Sequence, residues 1–370
     1  MTLALPPAVL PESAEALRGD VRAFLAEQDF VPGVDTWLSS FDAGFSRRLA
    51  ERGWLGMTWP ARYGGHECSA LERFVVIEEL LAAGAPVAAH WVADRQSGPS
   101  ILRFGTEEQR QRLVPPIARG ESYFAIGMSE PDSGSDLASV RTKATPDGDG
   151  WRLDGAKVWT SGAHHCHYMI TLCRTGPDRH AGLSQFIVDL TAPGVQIRPI
   201  ELLTGEHHFN EVVLDGVYVP GDMVLGTIGD GWKQVTSELA NERSGPERFL
   251  STAQLLVELA RYAETARDTR TLATLGGLFA QLWSIRQLSL RVAGALDRGA
   301  SVEVDAALVK DLGTRFEQEV VEAVRVAVTA DPGSRLEGLL THAVLHGPGF
   351  TLRGGTTEIL GVIVARGLGL

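Results

Sequence analysis

The sequence predicts an α+β protein in which a helical N-terminal domain, a small antiparallel β-domain and a C-terminal helical bundle follow one another. Three observations support this order. Helix-capping patterns dominate the first third, short β-rich runs fill residues 151–219, and apolar residues recur at helical spacing after residue 231. Separate runs of helices and strands are typical of α+β proteins. We place the domains at residues 1–121, 122–229 and 230–370.

Helices in the first third are indicated by their start signals. Residues 11–27 combine a charged face with an opposite apolar face. Residues 69–72 (SALE) and 106–109 (TEEQ) form capping boxes, in which side chains three positions apart satisfy each other's backbone N–H groups. The first box precedes apolar residues 74–83, and the second predicts a short helix that ends near Gly120.

The β-domain is predicted from five short runs separated by Gly, Pro and Asp. The runs lie at residues 151–159, 168–173, 185–190, 195–200 and 210–219. They are rich in β-branched and aromatic residues, which favour strands. Because no long helical pattern interrupts them, we expect a small antiparallel sheet.

The last third is predicted to be helical from an apolar row with a spacing of three or four residues. Its members are Leu272, Leu275, Leu278, Leu282, Ile285 and Leu288. This spacing predicts one buried face of a long helix. Residues 302–328 continue in the same style, and residues 354–366 indicate a glycine-rich turn that leads into a final helix.

Composition excludes several classes of protein. The 370 residues carry a net charge of -12, which argues against a nucleic-acid surface. The three cysteines, Cys68, Cys166 and Cys173, are too few for a disulfide framework or a zinc cage. No apolar run approaches the ~18–20 residues of a membrane helix, and the N-terminus lacks a basic region. We therefore expect a soluble cytoplasmic protein.

Familiar site motifs are absent from the sequence. There is no Rossmann glycine fingerprint after a strand, no P-loop and no Gly-x-Ser-x-Gly elbow. Residues 164–167 (HHCH) could suggest a metal site. Since adjacent residues on a strand face opposite sides, we expect that they do not share one ion and predict no metal.

One constellation stands out, residues 128–136 (MSEPDSGSD) followed by residues 157–162 (KVWTSG). A loop of small residues with N–H groups and hydroxyls suits a phosphate or the polar edge of a heterocycle. A nearby aromatic side chain could stack on a flat ring. A β-turn beside a core tryptophan explains the same residues, so the block alone leaves both interpretations open.

The constellation resembles the flavin-contacting signature of the acyl-CoA dehydrogenase family, in which a Ser/Thr-Glu-Pro-x-x-Gly-Ser-Asp loop precedes a Lys-x-Trp-x-Ser/Thr strand. Further similar segments occur in the same order, at residues 53–60 (GWLGMTWP), 63–65 (YGG), 104–109 (FGTEEQ) and 209–220 (FNEVVLDGVYVP). The resemblance covers about residues 15–245 and continues weakly to the end. It implies noncovalent FAD, an acyl-CoA or carrier-bound acyl thioester as substrate, an electron-accepting flavoprotein and an oligomer.

The resemblance assigns the loop residues to two parts of FAD. The backbone at Met128 and the hydroxyl of Ser129 would bond the pyrimidine edge of the isoalloxazine ring. Gly134 and Ser135 would lie near the pyrophosphate.

Four further residues match cofactor-contacting positions of the family. Trp159 would pack on the ring system, and Ser161 would hydrogen-bond near N5, the hydride acceptor. Thr356 and Glu358 would also touch FAD, although helix capping explains these two residues equally well.

The catalytic base is the main departure from the family pattern. Relatives carry it immediately before the Gly-Thr of the C-terminal loop, where this chain has Gly354, which keeps the backbone N–H for the substrate carbonyl but has no carboxylate. Some branches place the base in a Leu-x-x-Glu-Arg segment, which residues 239–243 (LANER) match. The resemblance therefore implies Glu242 as base and Arg243 near the substrate, with Glu247 as second candidate. A solvated or ion-paired glutamate is the alternative.

Two adenine-end motifs of the family are also missing, around residues 267–270 (RDTR) and 345–349 (LHGPG). Similar departures occur in family members that work as mixed assemblies, including those acting on steroid side chains. The alternatives are thus a non-catalytic partner subunit that completes a sister chain's FAD site, or another flavin reaction on the same fold.

Overall fold

The computed structural model describes residues 7–328, 331 and 333–370, with the backbone alone for residues 238–242. The described chain divides into two compact units. The helical unit comprises the described residues of Met1–Ser40, Cys68–Pro86 and Ala240–Leu370. The other, here called the β-unit, comprises Phe41–Glu67 and Val87–Leu239.

Thirteen α-helices lie in the described residues. They are α1 (Glu12–Ala26), α2 (Thr36–Ser39), α3 (Ala43–Glu51), α4 (Ala70–Ala82), α5 (Ala88–Val92), α6 (Gly98–Phe104), α7 (Glu107–Ala118), α8 (Gly231–Glu242), α9 (Ala253–Ala266), α10 (Thr269–Asp297), α11 (Glu303–Ala327), α12 (Arg335–Phe350) and α13 (Thr357–Leu368). A π-helical segment, Ala93–Ser97, joins α5 to α6. The three-domain division of the chain stays a prediction.

Both predicted capping boxes are confirmed. The Ser69 hydroxyl accepts from the N–H of Glu72 at 3.1 Å, and the Glu72 carboxylate accepts from the N–H of Ser69 at 2.7 Å. Thr106 and Gln109 make the same reciprocal pair at the start of α7. Each box satisfies two of the N–H groups that a helix start leaves without a partner.

The eight strands are β1 (Phe124–Gly127), β2 (Lys143–Asp147), β3 (Gly150–Ser161), β4 (Tyr168–Arg174), β5 (Leu183–Asp189), β6 (Val195–Ile200), β7 (Phe209–Pro220) and β8 (Val224–Leu225). They form one sheet in the order β6-β7-β3-β2-β4-β5-β8, and β1 pairs with β4. All five predicted strands are present. The sheet is mixed rather than purely antiparallel, because β1 and β2 both meet β4 in parallel.

Two neighbouring strands of the sheet are covered on both faces. β4 and β5 are buried along almost their whole length. A strand buried on both faces needs apolar residues at nearly every position, which explains the continuous runs in the sequence. The edge strand β6 is more exposed and alternates instead.

The long helix α10 is buried only in part. Leu278 and Ile285 lie in the core as predicted, but Leu272 is 49% exposed, so the prediction of a wholly buried face is wrong at that end. Phe279 and Trp283 are exposed as well. Exposed apolar residues at helical spacing mark an interaction surface. No helix among the described residues is long and apolar enough to cross a membrane.

Candidate functional site

The loop that follows β1 forms a tight turn closed by its own backbone. The N–H of Glu130 donates to the Ser133 carbonyl at 2.7 Å, and the N–H of Ser133 donates back at 3.1 Å. Gly134 and Ser135 are exposed beyond this turn. Within the described part of the chain, the backbone N–H groups of these two residues have no acceptor. The loop therefore presents free donors, as a phosphate ligand requires.

A β-bulge in β3 presents the tryptophan of the motif. Lys157 pairs with Val212 and Thr160 with Asn210, so two residues of β3 lie opposite one residue of β7. Trp159, in the bulge, has a φ of 59°, which is unusual for a residue with a side chain. Its side chain is 57% exposed, so the alternative of a core tryptophan is wrong. Backbone strain of this kind costs ~1–3 kcal/mol and clusters at binding sites.

A buried ion pair joins the loop to β3. Lys157 is 0% exposed, and its ammonium lies 2.8 Å from the Glu130 carboxylate and 3.2 Å from the Met128 carbonyl. The N–H of Val158 donates to the Ser129 carbonyl at 2.9 Å. Burial alone would raise the pKa of Glu130, but the charge of Lys157 and the hydrogen bonds to the carboxylate lower it. Burial lowers the pKa of Lys157, although the Glu130 carboxylate opposes this shift. The 2.8 Å contact of the pair, together with the hydrogen bond to the Met128 carbonyl, holds Met128 and Ser129 next to the strand segment that carries Trp159.

Ser161 ends β3 and is followed by a group of histidines. Residues Ala163–His165 form a 3₁₀ turn, in which the His164 ring lies 3.9 Å from that of His165 and 4.1 Å from that of His207. The strand argument against a shared metal is thus wrong, because these residues do not lie on a strand. Among the described residues, the histidines at 164–167 do not bring three ligand atoms within 4.8 Å of one another.

Acid should destabilise the β-unit through His164. Burial, together with the neighbouring His165 and His207, lowers the pKa of His164 to about 4. The unfolded chain takes up this proton at a pKa of ~6.5, so the stability contributed by neutral His164 is complete above that pH and is lost as pH falls toward 4. We expect the midpoint of urea unfolding to fall between about pH 7 and pH 5.

The control variant is His164→Asn, whose side chain cannot gain a proton. Its midpoint of urea unfolding should fall less over the same pH range. An equal fall in both proteins would contradict the assignment to His164.

The C-terminal loop belongs to the helical unit and is fixed by cations. Gly354 and Gly355 have φ values of 67° and 100°, a conformation that glycine adopts without strain. Arg243 donates to the Gly354 carbonyl at 3.0 Å, and Lys310 donates to the Gly355 carbonyl at 2.7 Å. Arg243 is 5% exposed. It therefore orients the loop backbone, and its predicted contact with substrate stays a prediction.

Gly354, the position where relatives carry the catalytic base, lies next to the guanidinium group of Arg248. A Cβ atom at Gly354 would lie 3.0 Å from a terminal nitrogen of Arg248. Arg248 in turn lies 3.3 Å from the carboxylate of Glu247, and both residues are almost completely buried. Glu247, the second candidate base, is thus part of a buried ion pair.

Arg353 anchors the start of the same loop. Its guanidinium donates twice to Asp35, at 2.7 and 2.6 Å, and once to the Ser251 hydroxyl at 3.1 Å. It also lies over the Trp37 ring, 4.4 Å from the centroid. Burial alone would raise the pKa of Asp35, but Arg353 and His346 together lower it.

The structure confirms a capping role for Thr356. Its hydroxyl accepts from the N–H of Ile359 at 3.5 Å at the start of α13. Glu358 lies in the first turn, where its own backbone N–H and the Thr356 hydroxyl lower its pKa. Contact of either residue with FAD stays a prediction.

The predicted base, Glu242, is the last residue of α8. Its side chain lies outside the described residues, so its role is a prediction still.

The residues of the β-unit fit a flavin. The exposed indole of Trp159 is a flat platform, and the Met128–Ser129 backbone is held beside it. The free donors at Gly134 and Ser135 suit phosphate oxygens. The mixed sheet, flanked in sequence by helices, thus carries a surface of the kind that flavin binding requires.

Comparison with known proteins supplies the family. Residues 11–121 match the model of the acyl-CoA dehydrogenase N-terminal domain, and residues 125–217 match that of the middle domain. The chain belongs to the acyl-CoA dehydrogenase family. Membership confirms the fold and FAD as the cofactor predicted from the resemblance, and it places the chain in a family of dehydrogenases.

Three similar proteins illustrate the match. The acyl-CoA dehydrogenase FadE34 of Mycobacterium tuberculosis is 37% identical over 86% of this chain, but the match spans only 45% of FadE34. The solved structure titled "Tcur3481-Tcur3483 steroid ACAD" is 30% identical, with a TM-score of 0.87 over 100% of this chain and 99% of that one. The ChsE4-ChsE5 complex from Mycobacterium tuberculosis is 28% identical, with a TM-score of 0.83 over 100% and 99%.

Proposed function

We propose that this chain binds FAD noncovalently and takes part in the α,β-dehydrogenation of an acyl-CoA or carrier-bound acyl thioester. The observation that carries the proposal is the exposed, strained Trp159 beside a loop fixed by Lys157 and Glu130. Family membership supports acyl-CoA dehydrogenation as the general reaction. The reduced protein would pass its electrons to an electron-accepting flavoprotein.

In the proposed reaction, residues of the β-unit position the cofactor. Bound FAD would supply the acceptor for the hydride of the acyl β-carbon. Met128 and Ser129 would hold the pyrimidine edge, Trp159 would stack on the ring and Ser161 would hydrogen-bond near N5. Hydrogen bonds aimed at fixed positions cost little reorganisation during reaction, which is why a rigid loop and strand suit this task.

Proton removal falls to the helical unit. We assign the removal of the α-proton to Glu242, the last residue of α8. A carboxylate in an apolar surrounding has a raised pKa and accepts a proton near neutral pH. The N–H of Gly354 has no backbone acceptor among the described residues, so it is available to polarise the thioester carbonyl.

A second candidate function is a non-catalytic partner subunit. The observation that favours it is the guanidinium of Arg248 beside Gly354: a side chain at the family's usual base position would have its Cβ 3.0 Å from a terminal nitrogen and would need a positive φ of 67°. The ChsE4-ChsE5 structure is a complex by its title. The exposed apolar stripe of α10, formed by Leu272, Phe279 and Trp283, gives this chain a surface for such an assembly.

The two candidates are separated by reducing the bound flavin anaerobically. The purified chain is mixed with a straight-chain acyl-CoA and with a steroid-side-chain acyl-CoA, alone and after coexpression with a sister chain. Flavin bleaching by the chain alone supports the enzyme. Bleaching that requires the sister chain, and that survives Glu242→Gln in this chain, supports the partner subunit. A chain that releases no FAD on acid denaturation in any assembly contradicts both.

Removing the stacking platform should weaken FAD binding. Trp159→Ala loses aromatic contact of about 1 kcal/mol or more, so the Kd for FAD should rise at least ~5-fold. Trp159→Gly should weaken binding equally, yet raise the melting temperature, because glycine adopts a positive φ without strain. Fluorescence titration of apoprotein gives the Kd, and thermal unfolding of apoprotein gives the stability.

The control is Tyr218→Ala, which removes another exposed aromatic from the opposite end of the β3–β7 pairing. Its Kd for FAD should not change. Unchanged FAD binding in both Trp159 variants would remove the indole from the site.

A further inference from the structure

The buried pair of Lys157 and Glu130 takes no part in the proposed hydride or proton transfer. Lys157 is 0% exposed and Glu130 is 8% exposed. Transferring two charges into a protein interior is costly, and apolar residues of similar volume are often as stabilising. A pair retained at such cost points to a positional role, which the hydrogen bonds around it identify.

The pair sets the direction of one peptide group. The Met128 carbonyl is turned toward the Lys157 ammonium, 3.2 Å away. In a planar trans peptide the N–H points opposite to the carbonyl, so the N–H of Ser129 is directed away from Lys157. On the other side of Ser129, its carbonyl accepts from the N–H of Val158. Both peptide groups that flank Ser129 are thereby fixed in orientation.

Glu130 extends this arrangement to the segment before β2. Its carboxylate accepts from the N–H of Arg141 at 2.6 Å and of Thr142 at 2.9 Å, besides the ammonium of Lys157 at 2.8 Å. The start of the loop is thus joined both to the segment before β2 and to β3. Lys157 also directly precedes the bulge that carries Trp159.

We propose that Lys157, through Glu130 and the Met128 carbonyl, is the positioning residue for the isoalloxazine end of FAD. It aims the Ser129 N–H at the ring edge and keeps the bulge that presents Trp159. The pyrophosphate end does not depend on it, because Gly134 and Ser135 lie beyond the turn that their own loop closes. The inference rests on the proposed binding of FAD at this surface.

The test separates the two ends of the cofactor. Lys157→Met removes the ammonium and keeps the length of the side chain, and Glu130→Gln removes the charge while keeping one of the two oxygens that accept from the backbone. For both variants we expect apoprotein to bind FAD and riboflavin about 10- to 100-fold more weakly, as for the loss of a hydrogen bond to a charged group. The Kd for ADP should stay within about twofold of wild type, since ADP has no isoalloxazine.

The matched control is Val217→Ala, which truncates a fully buried residue of β7 in the same unit. It should lower stability while leaving the Kd of riboflavin unchanged. Wild-type affinity for riboflavin in both pair variants, or an equal loss for ADP and riboflavin, would overturn the positioning role. If Lys157→Met does not fold, Glu130→Gln decides alone. Wild-type apoprotein that binds no flavin would instead contradict the proposed function.

Discussion

Glu242→Gln should slow the reduction of bound flavin by acyl thioester by ~10²–10⁴-fold, the usual loss when a general base is removed. The amide is close in shape to the carboxylate but does not accept a proton at neutral pH. FAD binding and the fold should therefore be retained. Anaerobic stopped-flow mixing, in the assembly that is active in the wild type, records the bleaching rate directly.

Two other glutamate variants serve as controls for Glu242→Gln. Glu264→Gln removes an exposed charge from α9 and should leave the bleaching rate unchanged. Glu247→Gln breaks the buried pair with Arg248, so we expect it to lower stability more than it lowers the rate. Wild-type bleaching in Glu242→Gln would move the base to Glu247 or to a sister chain. A wild type that no acyl thioester reduces in any assembly would favour another flavin reaction.

Local signals explain why much of the fold was predictable. The capping box at Ser69 uses residues three positions apart, and the structure reproduces it. The predicted strand at residues 195–200 has the observed bounds, because a turn signal ends it on each side. The strand β1 was missed, since it has four residues and its parallel partner lies far along the chain. The residue pattern of one strand does not reveal which distant segment will pair with it.

In the candidate site, too, local sequence patterns were informative and contacts between distant segments were not predictable. The motif indicates Met128, Ser129 and Trp159 as site residues, but nothing in it distinguishes an exposed tryptophan from a buried one. That difference arises from the bulge, which is a property of the register between β3 and β7. The roles of Lys157 and Glu130 were missed, although two opposite charges within a motif of small residues could have indicated a pair.

The C-terminal loop was the least predictable part. Its sequence reveals that Gly354 carries no carboxylate, and no more. Arg248 and Lys310 come from distant positions in the chain, so their approach to this loop depends on the tertiary structure. This matters for function, because a side chain introduced at position 354 would lie directly against the guanidinium of Arg248.

Arg353→Met should cost the helical unit about 3–5 kcal/mol, because it leaves the buried Asp35 without the guanidinium and with only His346 as a charged partner. Asp35 is 2% exposed and accepts both strong hydrogen bonds of the guanidinium. The contact with the Trp37 ring is lost as well. Urea unfolding should show the loss at neutral pH. Arg335→Met, which removes a more exposed arginine paired with Glu258 in the same unit, should cost no more than about 1 kcal/mol.

The pH dependence of this loss identifies its cause. In the wild type the lowered pKa of Asp35 gives stability that is complete above the unfolded value of ~3.9 and is lost only as pH falls below it. In Arg353→Met only the contact with His346 still opposes the effect of burial, so we expect the pKa of Asp35 to rise and its stabilising contribution to shrink as pH rises from ~3.9. Glu317, whose pKa burial already raises to about 7, loses a neighbouring positive charge and changes in the same direction. The difference in unfolding free energy between variant and wild type should therefore be smaller at about pH 5 than at about pH 7.5. A difference that does not change with pH would mean that lost packing on Trp37, rather than an unpaired carboxylate, destabilises the variant.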